Sequence, residues 1–324
     1  MYKKIKIITL VNSKGMELQI LNFGATLVSL KVPDKNNNLV NVVVSLKNTE
    51  DYLSDIHPCL GSSIGRYAGR ISNGKFTIAE KEYPIYHENG VHLHGGKEGF
   101  DRKFWNVEEI AKGENTKVVL SIKSNHLEEG YPGNLQAKVT YELTENNEVN
   151  ITYTATTDAE TPVNLTNHAY YNLEGEGTIS NHNLMINSSN HLEVSGQLLP
   201  SGRLISSKNT RFDRTEVSKI GRSDFIGYDD TFVLDNKALK AVLTSPKTGI
   251  KMEVYTNQPA SVVYTPIELP KLPFKNNVKY SKYAAICFET QNFPDAPNKQ
   301  HFPNSILQPG EEYLNKSVFK FSLI

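Results

Sequence analysis

Apolar side chains in this chain recur at every second position rather than every third or fourth. Ile250, Met252 and Val254 alternate with Lys251 and Glu253, and Phe319, Phe321 and Leu323 alternate with Lys320 and Ser322. Successive side chains of an extended strand point to opposite faces, so this spacing turns one face of each strand toward a core. Polar clusters at residues 12–15, 34–38, 144–148 and 245–249, the last containing Pro246, separate the runs as turns. The clearest hairpin joins residues 139–143 to 149–155. One short helix is expected after Asn48, where Thr49, Glu50 and Asp51 suit a helix N-terminus, and no long amphipathic stripe occurs. The pattern predicts an all-β, antiparallel protein.

With 324 residues the chain can bury a large core without metals or disulfides. Neither a low-complexity linker nor a composition shift interrupts it, so one domain over 1–324, a single large sandwich, is expected. Residues 267–280, basic and carrying Pro270 and Pro273, read as a long surface loop. Lys plus Arg total 35 and Asp plus Glu total 35. That balance gives no field to attract nucleic acid or an anionic membrane, which leaves a small or neutral partner. The apolar run near the start ends by Asn12, too short for a secretory core, so a cytoplasmic location is expected. Cys59 and Cys287 then read as two reduced thiols.

Four segments concentrate polar groups beyond what strands need. Residues 65–74 combine Gly65, Gly69 and Gly74 with Arg66 and Arg70, whose planar forks can grip hydroxyls or anchor a loop on an acid. Residues 91–96 carry His92 and His94, which would share one face of a strand. A His-x-His pair can chelate a metal, but no third ligand lies close in sequence, and hydrogen bonding is the better reading. Residues 161–173 form a neutral polar network around His168, which can move a proton near neutral pH or sit bonded to backbone. In residues 286–295 the carboxylate of Glu289 ends an apolar strand, open either to desolvation and base chemistry or to a structural ion pair. Asp229 and Asp230 precede another apolar run, and a capped turn is their plain alternative.

Taken in order, GRYAGRI, LHGG, PVNLTNHAYYNL, GYDDTF and FETQNFPD resemble the aldose 1-epimerase (galactose mutarotase) family. The similarity runs from Asn22-Phe23-Gly24-Ala25 to Leu307-Gln308-Pro309-Gly310-Glu311-Glu312-Tyr313. It implies a β-supersandwich with a sugar cleft, Glu289 as catalytic base, His168 as catalytic acid, and Arg70, His94 and Asp229 as substrate-binding residues. It also implies a monosaccharide ligand, no metal, no cofactor, and a monomer or homodimer. The ionic pair of carboxylate and imidazolium would open the sugar ring, giving a bell-shaped pH profile that belongs to the pair.

The sequence departs from many members at Gly69 (asparagine), at Asp230 (histidine) and at Phe293 (tryptophan). It also lacks a glutamine in residues 260–264. These changes bear on which sugar is held. Three other readings stand beside the resemblance. A hexose-6-phosphate epimerase would use Arg66 and the lysines of residues 271–282. A sugar-binding module without turnover would keep only the cleft. A glycosidase would pair Asp229 with Glu289.

Overall fold

The alternating runs become strands because one apolar face of each has a partner face to cover it. The computed structural model describes residues 4–54, 58–223, 225–275, 278 and 282–324. Along Leu135–Leu143 buried and solvent-facing positions alternate without a break, and Tyr313–Leu323 alternates likewise until Leu323, which is exposed. The expected hairpin forms between Leu135–Leu143 and Glu148–Thr157. The helix expected after Asn48 is the single 3-10 turn Thr49–Leu53.

Among the described residues, three sheets carry the architecture, and their strands pair antiparallel. A nine-stranded sheet includes, side by side, Leu135–Leu143, Glu148–Thr157, Tyr313–Leu323, Ile250–Thr256 and Leu239–Thr244. A six-stranded sheet runs in the order Tyr170–Tyr171, Ile286–Gln291, Ala260–Tyr264, Asp229–Val233, Asn190–Val194 and Pro200–Ser206. A four-stranded sheet begins with Ile7–Val11. One apolar cluster takes side chains from all three, including Leu18, Ile151, Phe319, Val263 and Phe288. Tyr171 stacks on Phe319, ring centroids 5.4 Å apart, and closes the six-stranded sheet onto the nine-stranded one.

The strand Ile286–Gln291 sets up the site. Ile286 and Phe288 enter the shared core, so Cys287 and Glu289 must leave by the opposite face. A slip of one residue would trade Phe288 for Glu289 in the core, which the burial cost of a carboxylate forbids.

The segment expected as a surface loop at 267–280 differs from that reading. Leu269, Leu272 and Phe274 are buried in a second apolar cluster with Tyr52 and Leu60, and Phe274 bridges to Leu46. Its two prolines suggested exposure, but the apolar residues around them have a pocket to fill. Positions 276, 277, 279 and 280 of that segment lie outside the described residues.

Candidate active site

Three neighbouring strands build the floor of a cleft with a volume of about 320 Å³. Val262 sits opposite Glu289 on one side and Thr231 on the other. One rung along, Asp229, Tyr264, Cys287 and Tyr170 pair in series. Because side chains two apart share a face, Asp229 and Thr231 both line the cleft while Asp230 faces away. Asp230 instead pairs with Arg211 at 2.8 Å, outside the cleft.

His168 arrives from the segment beside Tyr170–Tyr171, where its backbone N–H donates to Ser62 O. Its ring stacks on Tyr170, centroids 5.1 Å apart and planes 18° apart. Tyr170 is itself held by donation from its hydroxyl to Pro58 O. His168 Nε2 lies 3.4 Å from Glu289 Oε1, with both side chains almost wholly buried. The other two polar atoms of the pair, His168 Nδ1 and Glu289 Oε2, are buried and have no hydrogen-bond partner among the described residues. Buried polar atoms are rarely left unpaired, which sets this pair apart from the rest of the interior.

His94 does not lie on the strand with His92. The strand Val91–Leu93 ends one residue earlier, and His94 takes a φ of +51° that turns its ring toward His168, centroids 5.4 Å apart. Two bonds to one residue hold that turn: His94 N–H donates to Gly69 O, and Gly69 N–H donates to His94 Nδ1. An accepting Nδ1 leaves the proton of neutral His94 on Nε2, a donor for a ligand oxygen. Gly95 must lack a side chain, since a Cβ there would lie 1.8 Å from Gly65 O. His92 points elsewhere, between Tyr86 O and the Tyr131 hydroxyl at 2.6 Å each. The alternation rule failed at this pair because the strand stops between its members.

Arg70 closes one side of the cleft with Asp229, Nη2 to Oδ2 at 3.3 Å. Gly69 beside it, at φ +79°, stands where a Cβ would come within 3.1 Å of Gln291 Nε2 and 3.2 Å of Pro294, too close for a side chain without movement. Arg66 takes no part. It is 2% exposed and donates to Ser124 Oγ and to the carbonyls of Ser124, Asn125, Pro132 and Gly133. Lys271, Lys275 and Lys282 are absent from the lining too, and positions 276, 277 and 279–281 lie outside the described residues. Among the described residues, Arg70 is the cleft's cationic side chain. Arg66, Lys271, Lys275 and Lys282, named for a phosphate, thus lie outside the lining.

The five site residues expected from sequence, Glu289, His168, Arg70, His94 and Asp229, therefore line one cleft. Cys59, Tyr170, Val262 and Tyr264 join them unannounced. Period two carried the signal for Tyr264, which shares a face with Val262. Burial pushes the Cys59 and Cys287 thiols well above the usual thiol range, which favours their protonated form. Beyond Cys59, Leu93 and His94 the cleft joins a wider groove of about 880 Å³.

Burial pushes the Glu289 carboxyl up to about 8, with the Asp229 charge adding to the rise and Arg70 opposing it. Burial pulls His168 down to about 4. Both shifts favour a proton on Glu289 over one on His168. Desolvation makes the ionised carboxylate a stronger base and the imidazolium a stronger acid than in water.

The profile of the family described as Aldose 1-epimerase matches residues 6–320. The chain is 34% identical to the aldose 1-epimerase of Escherichia coli (strain K12), covering 98% of this chain and 95% of that one. It is 36% identical to the galactose mutarotase of Sus scrofa, covering 97% and 93%. Its structure superposes on a C. elegans aldose epimerase homologue with TM-score 0.93 at 29% identity, covering 99% and 100%. It superposes on galactose 1-epimerase from Lactobacillus acidophilus NCFM with TM-score 0.88 at 29% identity, covering 99% and 95%.

Proposed function

The chain belongs to the aldose 1-epimerase family, and from that membership we propose that it interconverts the α and β anomers of a free hexose, galactose and also glucose. It is an enzyme of the isomerase class, with mutarotase activity on aldoses. The observation that carries the finer reading is the 3.4 Å approach of His168 Nε2 to Glu289 Oε1 in a cleft sized for a small ligand.

In this reading the Glu289 carboxylate takes the proton of the C1 hydroxyl while the His168 imidazolium gives one to O5. The O–H electrons become the carbonyl bond, the C1–O5 pair leaves with O5, and the ring opens to the aldehyde. Rotation about C1–C2 presents the other carbonyl face, and reclosure reverses both transfers. The neutral pair that burial favours is the state left after ring opening, so the two pKa shifts drive proton transfer in that direction. His94 Nε2–H, Arg70 and Asp229 hold the remaining oxygens. The carboxylate and guanidinium together offer an acceptor and a fork of donors to neighbouring hydroxyls.

Freshly dissolved α-galactose followed by polarimetry tests the proposal. The protein is expected to speed the approach to equilibrium well beyond buffer, and a large preference for glucose 6-phosphate would overturn it. The same assay across pH should give a bell for kcat/KM with limbs near 4 and near 8. Below the lower limb His168 gains a proton while Glu289 keeps its own, so no base remains. Above the upper limb the shared proton is lost and no acid remains. Asp229→Asn removes a charge that raises Glu289, so its upper limb should move to lower pH.

The core shared by the three sheets supports treating 1–324 as one catalytic domain. No helix among the described residues is long and apolar enough to cross a membrane. We place the enzyme in the cytoplasm as a monomer or homodimer whose partner is a monosaccharide, not a nucleic acid or a membrane.

A further inference from the structure

Among the described residues, His94, His168 and Glu289 each offer a ligand atom, and the three atoms lie within 4.8 Å of one another. This is the third ligand that the sequence did not reveal beside His94, because 74 positions separate His94 from His168 and 121 separate His168 from Glu289. Two imidazoles and one carboxylate, with a fourth direction open to the cleft, make a donor set that suits zinc. The 3.4 Å between His168 Nε2 and Glu289 Oε1 is close to the roughly 3.3 Å edge of a tetrahedron with zinc bonds of about 2.0–2.1 Å.

The outer contacts are in place as well. His94 Nδ1 is engaged by Gly69 N–H, which orients the ring and leaves Nε2 for a cation. Glu289 Oε2 is buried without a partner and completes the carboxylate's capacity to ligate. Magnesium and calcium prefer an oxygen shell, and this donor set of two imidazoles offers them a single carboxylate.

We propose that the cleft binds one zinc ion through His94, His168 and Glu289, and that zinc and sugar exclude each other. The exclusion rests on the reading that these same groups meet the sugar. Zinc then acts as an inhibitor, because the cation occupies both proton-transfer groups at once.

Calorimetric titration of the full chain with zinc chloride should show one ion bound, with affinity falling as galactose is added. His94→Asn, which keeps a residue tolerant of positive φ, should weaken zinc by more than about 10-fold. Glu289→Gln, close in shape to the native side chain, should do the same. Magnesium chloride should give no binding. The proposal is overturned by absence of zinc uptake, by uptake indifferent to both substitutions, or by uptake indifferent to galactose. Polarimetry on metal-free protein separates the two readings. Absence of zinc uptake by the unsubstituted protein with mutarotation intact sinks the zinc site alone, whereas substitution-sensitive zinc binding with a fully active Glu289→Gln sinks the proton-transfer assignment alone.

Discussion

Glu289→Gln should slow galactose mutarotation by about 10²–10⁴-fold, the usual contribution of a positioned proton-transfer group. Glutamine has nearly the same shape and keeps the strand Ile286–Gln291 in register, so the loss would come from chemistry and not from collapse of the cleft. Glu289 is 2% exposed, and its Oε2 lacks a partner. Removing a carboxyl whose ionisation burial opposes should leave thermal stability unchanged or raised. The fall should therefore appear in kcat, with KM moving less, because the carboxylate contributes most when the C1 proton is in transfer. Polarimetry of variant and wild type at the same protein concentration measures it. A variant within tenfold of wild type would move the base elsewhere.

Arg66→Met should destabilise the fold by about 3–5 kcal/mol, the range for stripping one partner from a buried charged network. The Arg66 guanidinium meets five oxygens between Ser124 and Gly133, at 2.7–3.0 Å, and lies 5.8 Å over the Tyr131 ring. Ser124 Oγ accepts from Arg66 Nε and donates onward to Glu128, which brings a carboxylate into the network. Methionine fills much of the volume and satisfies none of these acceptors. Lysine keeps the charge, but one ammonium cannot span the fork, so Arg66→Lys should lose most of the same stability. Urea denaturation followed by circular dichroism reads both. Because Arg66 is outside the cleft, the folded fraction should keep its KM for galactose, and a large rise in KM would return Arg66 to a binding role.

The two arginines show what a sequence can and cannot reveal. Arg66 and Arg70 stand four apart in one glycine-rich segment, and spacing offered both as grips or anchors. Only their surroundings separate them, and those come from distant chain: residues 124–133 for one, Asp229 for the other. The all-β class and the central hairpin were legible because alternation is local. The rungs joining Thr231, Val262 and Glu289 were not, since strand pairing is set by how whole sheets stack. The ordered motifs supplied what spacing lacked, naming five residues that the fold brings to one cleft. They gave no warning that His92 would turn away from His94 to Tyr86 and Tyr131.

Phe288 and Glu289 are consecutive on one strand, the first in the core and the second in the cleft. A substitution at Phe288 that the interior could absorb by sliding the strand would carry the carboxylate with it. A displacement of about 0.5 Å is enough to spoil a working constellation. Natural variation at Phe288 is thus filtered by turnover well before it is filtered by unfolding, and a library selected only for heat resistance would keep sequences here that a library selected for growth on sugar would discard.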